Sequence, residues 1–271
     1  MVLGTGDCRG CAVIDVNQPS AARVYDYFLG GTHNFAVDRA LAEQIAAMTP
    51  NIAETMRSNR LFLRRAVRYL AGQGIRQFLD IGSGIPTAGN VHEIVREAAP
   101  GASVVYVDID PVAVEHSRDI LAGVERTGVI CADVRDVDRL LTESEELGLI
   151  DFDEPVAVLL AGVLHFVPDA DGPASVVAAL RDAVTTGSYL LISHATADGQ
   201  PPEVIEAQKL SGRTATEIVL RTGAEITAYF DGFDLVEPGL VFIPRWRPDP
   251  GDEADGHPER VGAYAGVGIK N

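Results

Sequence analysis

The chain has 271 residues, 46% of them apolar, enough to bury one large core. Its formal net charge of -17 opposes a phosphate backbone or an anionic membrane surface, and no basic stripe offsets it, so no nucleic-acid or membrane partner is expected. Three cysteines make no disulfide framework, and with neither a basic-then-apolar leader nor an apolar run of bilayer length, a cytoplasmic protein is expected.

The Gly-rich start, MVLGTGDCRGCAV, carries Cys8 and Cys11 but no second cysteine pair for zinc and no preceding strand for a redox site. Residues 1–18 are therefore read as a flexible tail without a metal. PSAARVYDYFLGG begins a helix at Pro19 and Ser20, sets Val24, Tyr25, Phe28 and Leu29 on one face, and ends at Gly30 and Gly31. HNFAVDRALAEQIAAM and MRSNRLFLRRAVRYLAGQG give two more helices, so residues 19–74 form an N-terminal helical cap. Arg57, Arg60, Arg64, Arg65 and Arg68 recur mostly at helical spacing and are assigned to the solvated side of the third helix.

From Ile75 the pattern changes to short apolar strands alternating with amphipathic helices, the signature of a mostly parallel α/β sheet over residues 75–271. RQFLDIG, SVVYVDID, GVICADV, PVAVLLAG and SYLLISHATA are the five strands in order. NVHEIVREAA, PVAVEHSRDILA, the stretch from Asp136 to Glu146, and PASVVAALRDAV are the helices between them. TATEIVLRTGAEITAYFDGF adds one or two helices, and DLVEPGLVFIPRW with VGAYAGVGI reads as a hairpin closing the sheet edge.

Three acids fall at successive strand ends, Asp80, Asp108 and Asp133, where an open α/β sheet binds its ligand. Gly82 and Gly84 flank Ser83 in the turn after the first strand, where a ligand can approach bare backbone. An acid some twenty to thirty residues after such a turn accepts from ribose hydroxyls, the role that fits Asp108. A dinucleotide fingerprint would need glycine at position 87, where Thr87 stands after Pro86. A rim of carboxylates suits a phosphate-free nucleoside carrying an ammonium and a sulfonium, which is S-adenosylmethionine (SAM).

FLDIGSG, VDIDP and CADV, in this order and spacing, resemble the first three motifs of the Rossmann-like class I SAM-dependent methyltransferases. ARVYDYFLGGTHNFAVDR, NRLFLRRAVRYL, GIRQFLDIGSGIPT and FDGFDLVEPGLV together resemble, more narrowly, an actinobacterial methyltransferase family long catalogued as a domain of unknown function. The resemblance implies a seven-stranded, mostly parallel sheet with a C-terminal antiparallel hairpin and an N-terminal helical lid. It implies SAM as cofactor, with its methionine part against Asp80, Gly82, Ser83 and Gly84 and its ribose at Asp108. Adenine would pack on Ile109, with its amino group at Asp133 and the amide of Val134 beside it.

The cap, as the resemblance has it, lies over the cofactor, so Tyr27 and Asn34 join the expected cofactor-binding set and GGTHN lines the cavity. His165, in GVLHFVPD after the fourth strand, is the first choice for a catalytic base and His194, ending the fifth, the second. The expected activity is methyl transfer to a small molecule. A SAM-binding regulatory module and a nicotinamide-dependent oxidoreductase are the alternatives.

Overall fold

The nearly continuous Val, Ile and Leu runs become strands covered on both faces, as parallel strands must be. A computed structural model describes residues 17–49, 51–86, 90–202, 205, 218–250, 252 and 256–271. Cys8, Cys11 and Thr87, and most of the proposed tail, lie outside these residues. Five parallel strands, β1 (Gln77–Ile81), β2 (Ser103–Asp108), β3 (Thr127–Cys131), β4 (Ala157–Ala161) and β5 (Tyr189–Ala195), are followed by β6 (Asp234–Leu235), β7 (Val241–Phe242) and β8 (Ala263–Ile269). The sheet order is β3-β2-β1-β4-β5-β8-β6, with β7 also pairing β8. β8 runs antiparallel between β5 and β6, so the expected hairpin exists but its second strand enters the sheet instead of lying at the edge. The strand expected over DLVEPGLVF is broken in two by a turn at Glu237–Leu240, which is why eight strands appear where seven were expected.

Helices α1 (Ala21–Phe28), α2 (Ala36–Met48) and α3 (Ile52–Gly72) precede the sheet, and α4 (Val91–Ala98), α5 (Pro111–Ile120), α6 (Val137–Glu146) and α7 (Pro173–Ala183) connect its strands. Helix α8 (Gly223–Ala228) is one short helix, capped by Thr222 and Glu225; residues 214–217 of the expected helical stretch lie outside the described set. One core, with Leu79, Val105, Val107, Leu140, Leu160, Leu180 and Ile192, fills the face under α6, α7 and α8. The other joins Phe78, Val104, Tyr106, Leu159 and Leu191 to Phe62, Ala66, Val67 and Leu70 of α3 and to Trp246.

This second core corrects the expected division at residue 74. Helix α3 is a layer of the main body, and Val24, Phe28 and Ala42 of α1 and α2 form a further cluster against which Ile52, Ala53 and Met56 of α3 also pack. The solvated reading of the five arginines also fails in part. Arg57, Arg64 and Arg68 are exposed, but Arg65 is buried and donates to the carbonyls of Trp246 (3.0 Å) and Ile243 (3.2 Å), while Arg60 is half-buried beside the Tyr25 ring. Cys131, at the end of β3, is disulfide-bonded, so the three cysteines are not all free thiols. Among the described residues no helix is long and apolar enough to cross a membrane.

Candidate cofactor and acceptor site

Side chains alternate across a strand, so Asp80 shares its sheet face with Phe78, and parallel register sets it beside Tyr106 and Leu159. That face is the one α3 covers, and Asp80 is 3% exposed there. Burial pushes its carboxyl up to about 7, against the lowering influence of Arg60. Asp108 is also buried. It accepts from the amide of Gly84 (2.7 Å) and that of Asp110 (2.9 Å), yet burial still raises it to about 6. The sequence VDIDP therefore divides its labour: Asp108 faces the loop, Ile109 stands 57% exposed beyond the sheet, and Asp110 caps α5 by accepting from Val112.

The two glycines of the loop differ. The amides of Gly82 and Ser83 both donate to the carbonyl of Val107, at 2.8 and 3.1 Å, tying the turn to β2. Gly82 has φ +70°, and a Cβ there would stand 2.6 Å from a methyl of Val163. Gly84 has φ +64°, and a Cβ there would meet nothing. Gly82 is needed for packing within the fold, whereas Gly84 leaves open space.

An open cavity of about 480 Å³ lies past the tips of β2 and β3, lined by Ile109, Cys131, Ala132, Asp133, Arg135, Asp136 and Arg139. Val134 is buried beside it. Asp133 is not free in it. Burial raises its carboxyl, but hydrogen bonds from Arg135 outweigh that and hold it below the usual range. Arg135 also reaches Asp171 (2.6 Å), so an adenine amino group would share Asp133 with this pair.

On the other side, Tyr25 of α1 donates to the carbonyl of Met56 (3.0 Å) and accepts from Asn59 (3.2 Å). Asn59 in turn accepts from Ser193 of β5 (2.6 Å). The parity of β5 puts Ser193, with Tyr189 and Leu191, on the α3 face, and His194 on the opposite one with Leu190 and Ile192. His194 is 1% exposed, with one ring nitrogen 2.7 Å from the carbonyl of Ala195 and the other 2.9 Å from Arg221. Burial lowers its pKa to about 4, and both ring nitrogens have protein partners, so His194 offers no free nitrogen in this structure.

His165 fares differently. It lies in the turn after β4, its carbonyl held by the amide of Val219 (2.8 Å), and its Nδ1 is buried without a partner. Burial, then His194 and Arg221, lower its pKa well below 6.5, so it is neutral, and the near-neutral pKa expected for it does not hold. A Cβ placed on Gly162 would come within 3.2 Å of Asn59 and 3.7 Å of His165, which shows how closely these two side chains converge.

The lid residues divide as well. Asn34 is spent locally, donating to Asp26 (2.9 Å) and the Gly31 carbonyl (3.0 Å) and accepting from Arg39 (3.1 Å). Tyr27 packs on the α1–α2 cluster. Tyr27 and Asn34 are engaged within the α1–α2 segment, and Tyr25 reaches α3 through Met56 and Asn59. Asn59 and Ser193 went unread, and Arg60 was read as solvated, because helix spacing and strand parity identify a face only once the neighbouring layer is known.

The profile of a family described as S-adenosyl methyltransferase matches residues 9–271. The chain belongs to this family. A candidate methyltransferase from Thermobifida fusca is 41% identical over 95% of this chain and 97% of its own, with a TM-score of 0.87. A DUF574 family protein from Streptomyces avermitilis is 37% identical over 95% of this chain and 99% of its own, with a TM-score of 0.90. An O-methyltransferase family protein from Burkholderia thailandensis, 13% identical over 94% of this chain and 65% of its own with a TM-score of 0.53, shares the fold alone. No curated protein matches the chain. The fold is that of the class I methyltransferases, and SAM is the cofactor of the family.

The residues present fit that cofactor. Asp80 and Asp108 are buried acids at adjacent strand ends, Gly84 is open, Ile109 is exposed above the cavity, and Arg60 Nε and His165 Nδ1 are buried polar atoms without a protein partner. An antiparallel strand between β5 and β6 also departs from the all-parallel order of dinucleotide folds, and nothing supports the oxidoreductase or regulatory alternatives.

Proposed function

We propose that this chain is a SAM-dependent methyltransferase acting on a small molecule whose nucleophilic atom carries a proton, with His165 as general base. When bound, SAM supplies an electrophilic methyl group whose leaving group departs neutral, so no acid is needed for it. The chain's own work is to bind, to align and to take a proton. Asp80, Asp108 and the Gly84 loop hold the cofactor, and Ile109 and the cavity beside Asp133 receive its base. Helices α1 and α2 act as a lid, fastened to α5 through Ser20 and Arg23 on Asp110 and through the edge contact of His33 with His116 (4.5 Å).

The observation that carries the reading is the unpartnered His165 Nδ1, beside Asn59 and on the far side of Asp80 from the cavity. An imidazole already neutral can accept a proton from an acceptor hydroxyl or amine as the new bond to carbon forms, and Nδ1 is the atom left free to do so. Alignment of the acceptor supplies the rest of the acceleration.

The test is incubation of the protein with methyl-labelled SAM and a metabolite extract, following S-adenosylhomocysteine and products heavier by one methylene. On an acceptor so found, His165→Ala should lower turnover by about 10²- to 10⁴-fold with little change in SAM affinity. Turnover within a few-fold of wild type would remove the base and leave alignment alone. Because His165 is held neutral, wild-type turnover at saturating SAM should stay flat from pH 6 to 8.

A further inference from the structure

The α1–α2 segment meets the body of the protein through a pair of histidines that the proposed chemistry does not use. His33, in the loop between α1 and α2, sets its ring against that of His116 on α5, with centroids 4.5 Å apart and planes at 68°. Both side chains are half-buried, and the Nδ1 of His33 is buried with no hydrogen-bond partner. Neutral rings suit this edge contact. A proton on His33 Nδ1 would point at no acceptor, and protons on both rings would set two cations side by side, partly out of water.

The surrounding charges do not remove that conflict. From α1, Asp26 lies near the pair, but its carboxylate already accepts from the amide of His33 (2.8 Å) and the side chain of Asn34 (2.9 Å). From α5 come Glu115 and Asp119, and from its N-cap Asp110, which accepts from Ser20 and pairs with Arg23 of α1 (3.7 Å). From α2, Asp38 is taken by Arg23 (3.0 Å), and Arg39 donates to the carbonyl of Asn34 (2.8 Å). Burial, then His33, hold the His116 imidazole below its ordinary value, outweighing Asp119, Glu115 and Asp26.

We propose that His33 and His116 form an acid-sensitive latch, which holds α1 and α2 against α5 while both rings are neutral and releases them when the rings take up protons. In the open state the two imidazoles are solvated and titrate near about 6.5, whereas the closed contact resists the proton. The closed state is therefore fully favoured above that value and loses stability as pH falls through it. The inference rests on α1 and α2 acting as the lid of the proposed methyltransferase, and the experiment separates the two.

Amide hydrogen exchange of the ligand-free protein at pH 7.5 and pH 5.5, expressed as protection factors corrected for the chemical exchange rate, reads the latch. Asp80 and Asp108, at about 7 and about 6, titrate in the same range and alter cofactor affinity, so exchange without ligand is the measurement that isolates the histidines. Protection in α1 and α2 should fall at pH 5.5 by up to about tenfold for each histidine that takes up a proton. The double variant His33→Phe, His116→Phe keeps an aromatic contact without a titrating nitrogen, and its protection there should not fall. Equal wild-type protection of α1 and α2 at the two pH values would overturn the latch whether or not the variant folds. So would an equal fall in the folded double variant. S-Adenosylhomocysteine added at pH 7.5 tests the lid separately: if it binds without slowing exchange in α1 and α2, the lid reading fails, while the ligand-free comparison still decides the latch.

Discussion

At the scale of single residues, Asp80 joins stability to binding. Its carboxyl sits at about 7 in the folded chain, far above an unfolded aspartate, so folding binds a proton that is lost again as pH rises through 7. The folded state is therefore penalised at alkaline pH by a buried charge that Asp80→Asn would remove. That variant should gain about 1 to 3 kcal/mol of ligand-free stability at pH 8, measured by denaturant unfolding. If Asp80 faces the cofactor's ammonium, the preference reverses: Asp80 would ionise opposite it and release a proton, and affinity should rise by up to about tenfold per pH unit below 7 and level off above. Titrations at pH 6.5 in buffers of different ionisation enthalpy would detect the proton; zero release by the wild type would take Asp80 away from the ammonium. Asp108 should matter more simply, Asp108→Asn weakening SAM by about 1 to 3 kcal/mol. The glycines separate by readout. Gly82→Ala drives a methyl group into Val163 and should lower the melting temperature, whereas Gly84→Ala has room, carries only backbone strain, and should act mainly on SAM binding.

At the scale of elements, the turn after β4 is held by a residue that no motif marks. Arg221 is 4% exposed and donates to the carbonyls of Leu164 (3.0 Å) and Val167 (2.9 Å), to Asp169 (2.6 Å) and to His194 (2.9 Å). It staples the turn carrying His165 onto β5, and His194 serves as one of its acceptors. Arg221→Met should leave the Val167 carbonyl and a ring nitrogen of His194 without this donor and the Leu164 carbonyl with the Val167 amide alone, costing about 2 to 4 kcal/mol in denaturant unfolding, with turnover falling further than SAM affinity. Unchanged stability would mean that other donors fill in. The same turn marks how far sequence carries. Period-2 and period-3.6 patterns located β1 to β5 and α1 to α7 to within a few residues, and the acids at the strand ends followed from the pattern alone. What failed was mostly a question of which layer lies opposite. Arg60 and Arg65 flank the apolar stripe of α3, and spacing cannot tell a flank that meets a sheet from one that meets water. His194 and Ser193 are adjacent in sequence and face opposite cores, a distinction that needs the parity of β5 against β1. The split of β6 from β7 does have a local signal in the Pro238–Gly239 turn, whereas the insertion of β8 has none, because antiparallel pairing across the sheet sets it.

The whole molecule has two large cores against the sheet and one small one, and they are unequal in strength. The small cluster buries Val24, Phe28 and Ala42, with Tyr27, Leu41 and Ile45 and, from α3, Ile52, Ala53 and Met56 packed against them, and polar contacts add to its cohesion. Asp38 is their centre: wholly buried, it accepts from the amides of Ser20 (3.0 Å) and Phe35 (2.8 Å) and from Arg23 (3.0 Å), which extends to Asp110 beside the cofactor's strand ends. A unit with little apolar area and one buried ionic hub opens at lower free energy than the sheet it covers. If it is the lid over the cofactor, that opening admits ligand, and bound SAM must hold it shut. Amides of α1 and α2 should then exchange hydrogen faster than those of β1, β4 and β5 in the free protein, and slow most on addition of SAM. Asp38→Ala strands a buried guanidinium and two amides, so it should weaken SAM binding by about tenfold or more through the open lid while global unfolding, governed by the two large cores, shifts much less. Exchange in α1 and α2 that is already as slow as in the sheet, or that ignores SAM, would make these helices a fixed wall of the site instead of its door.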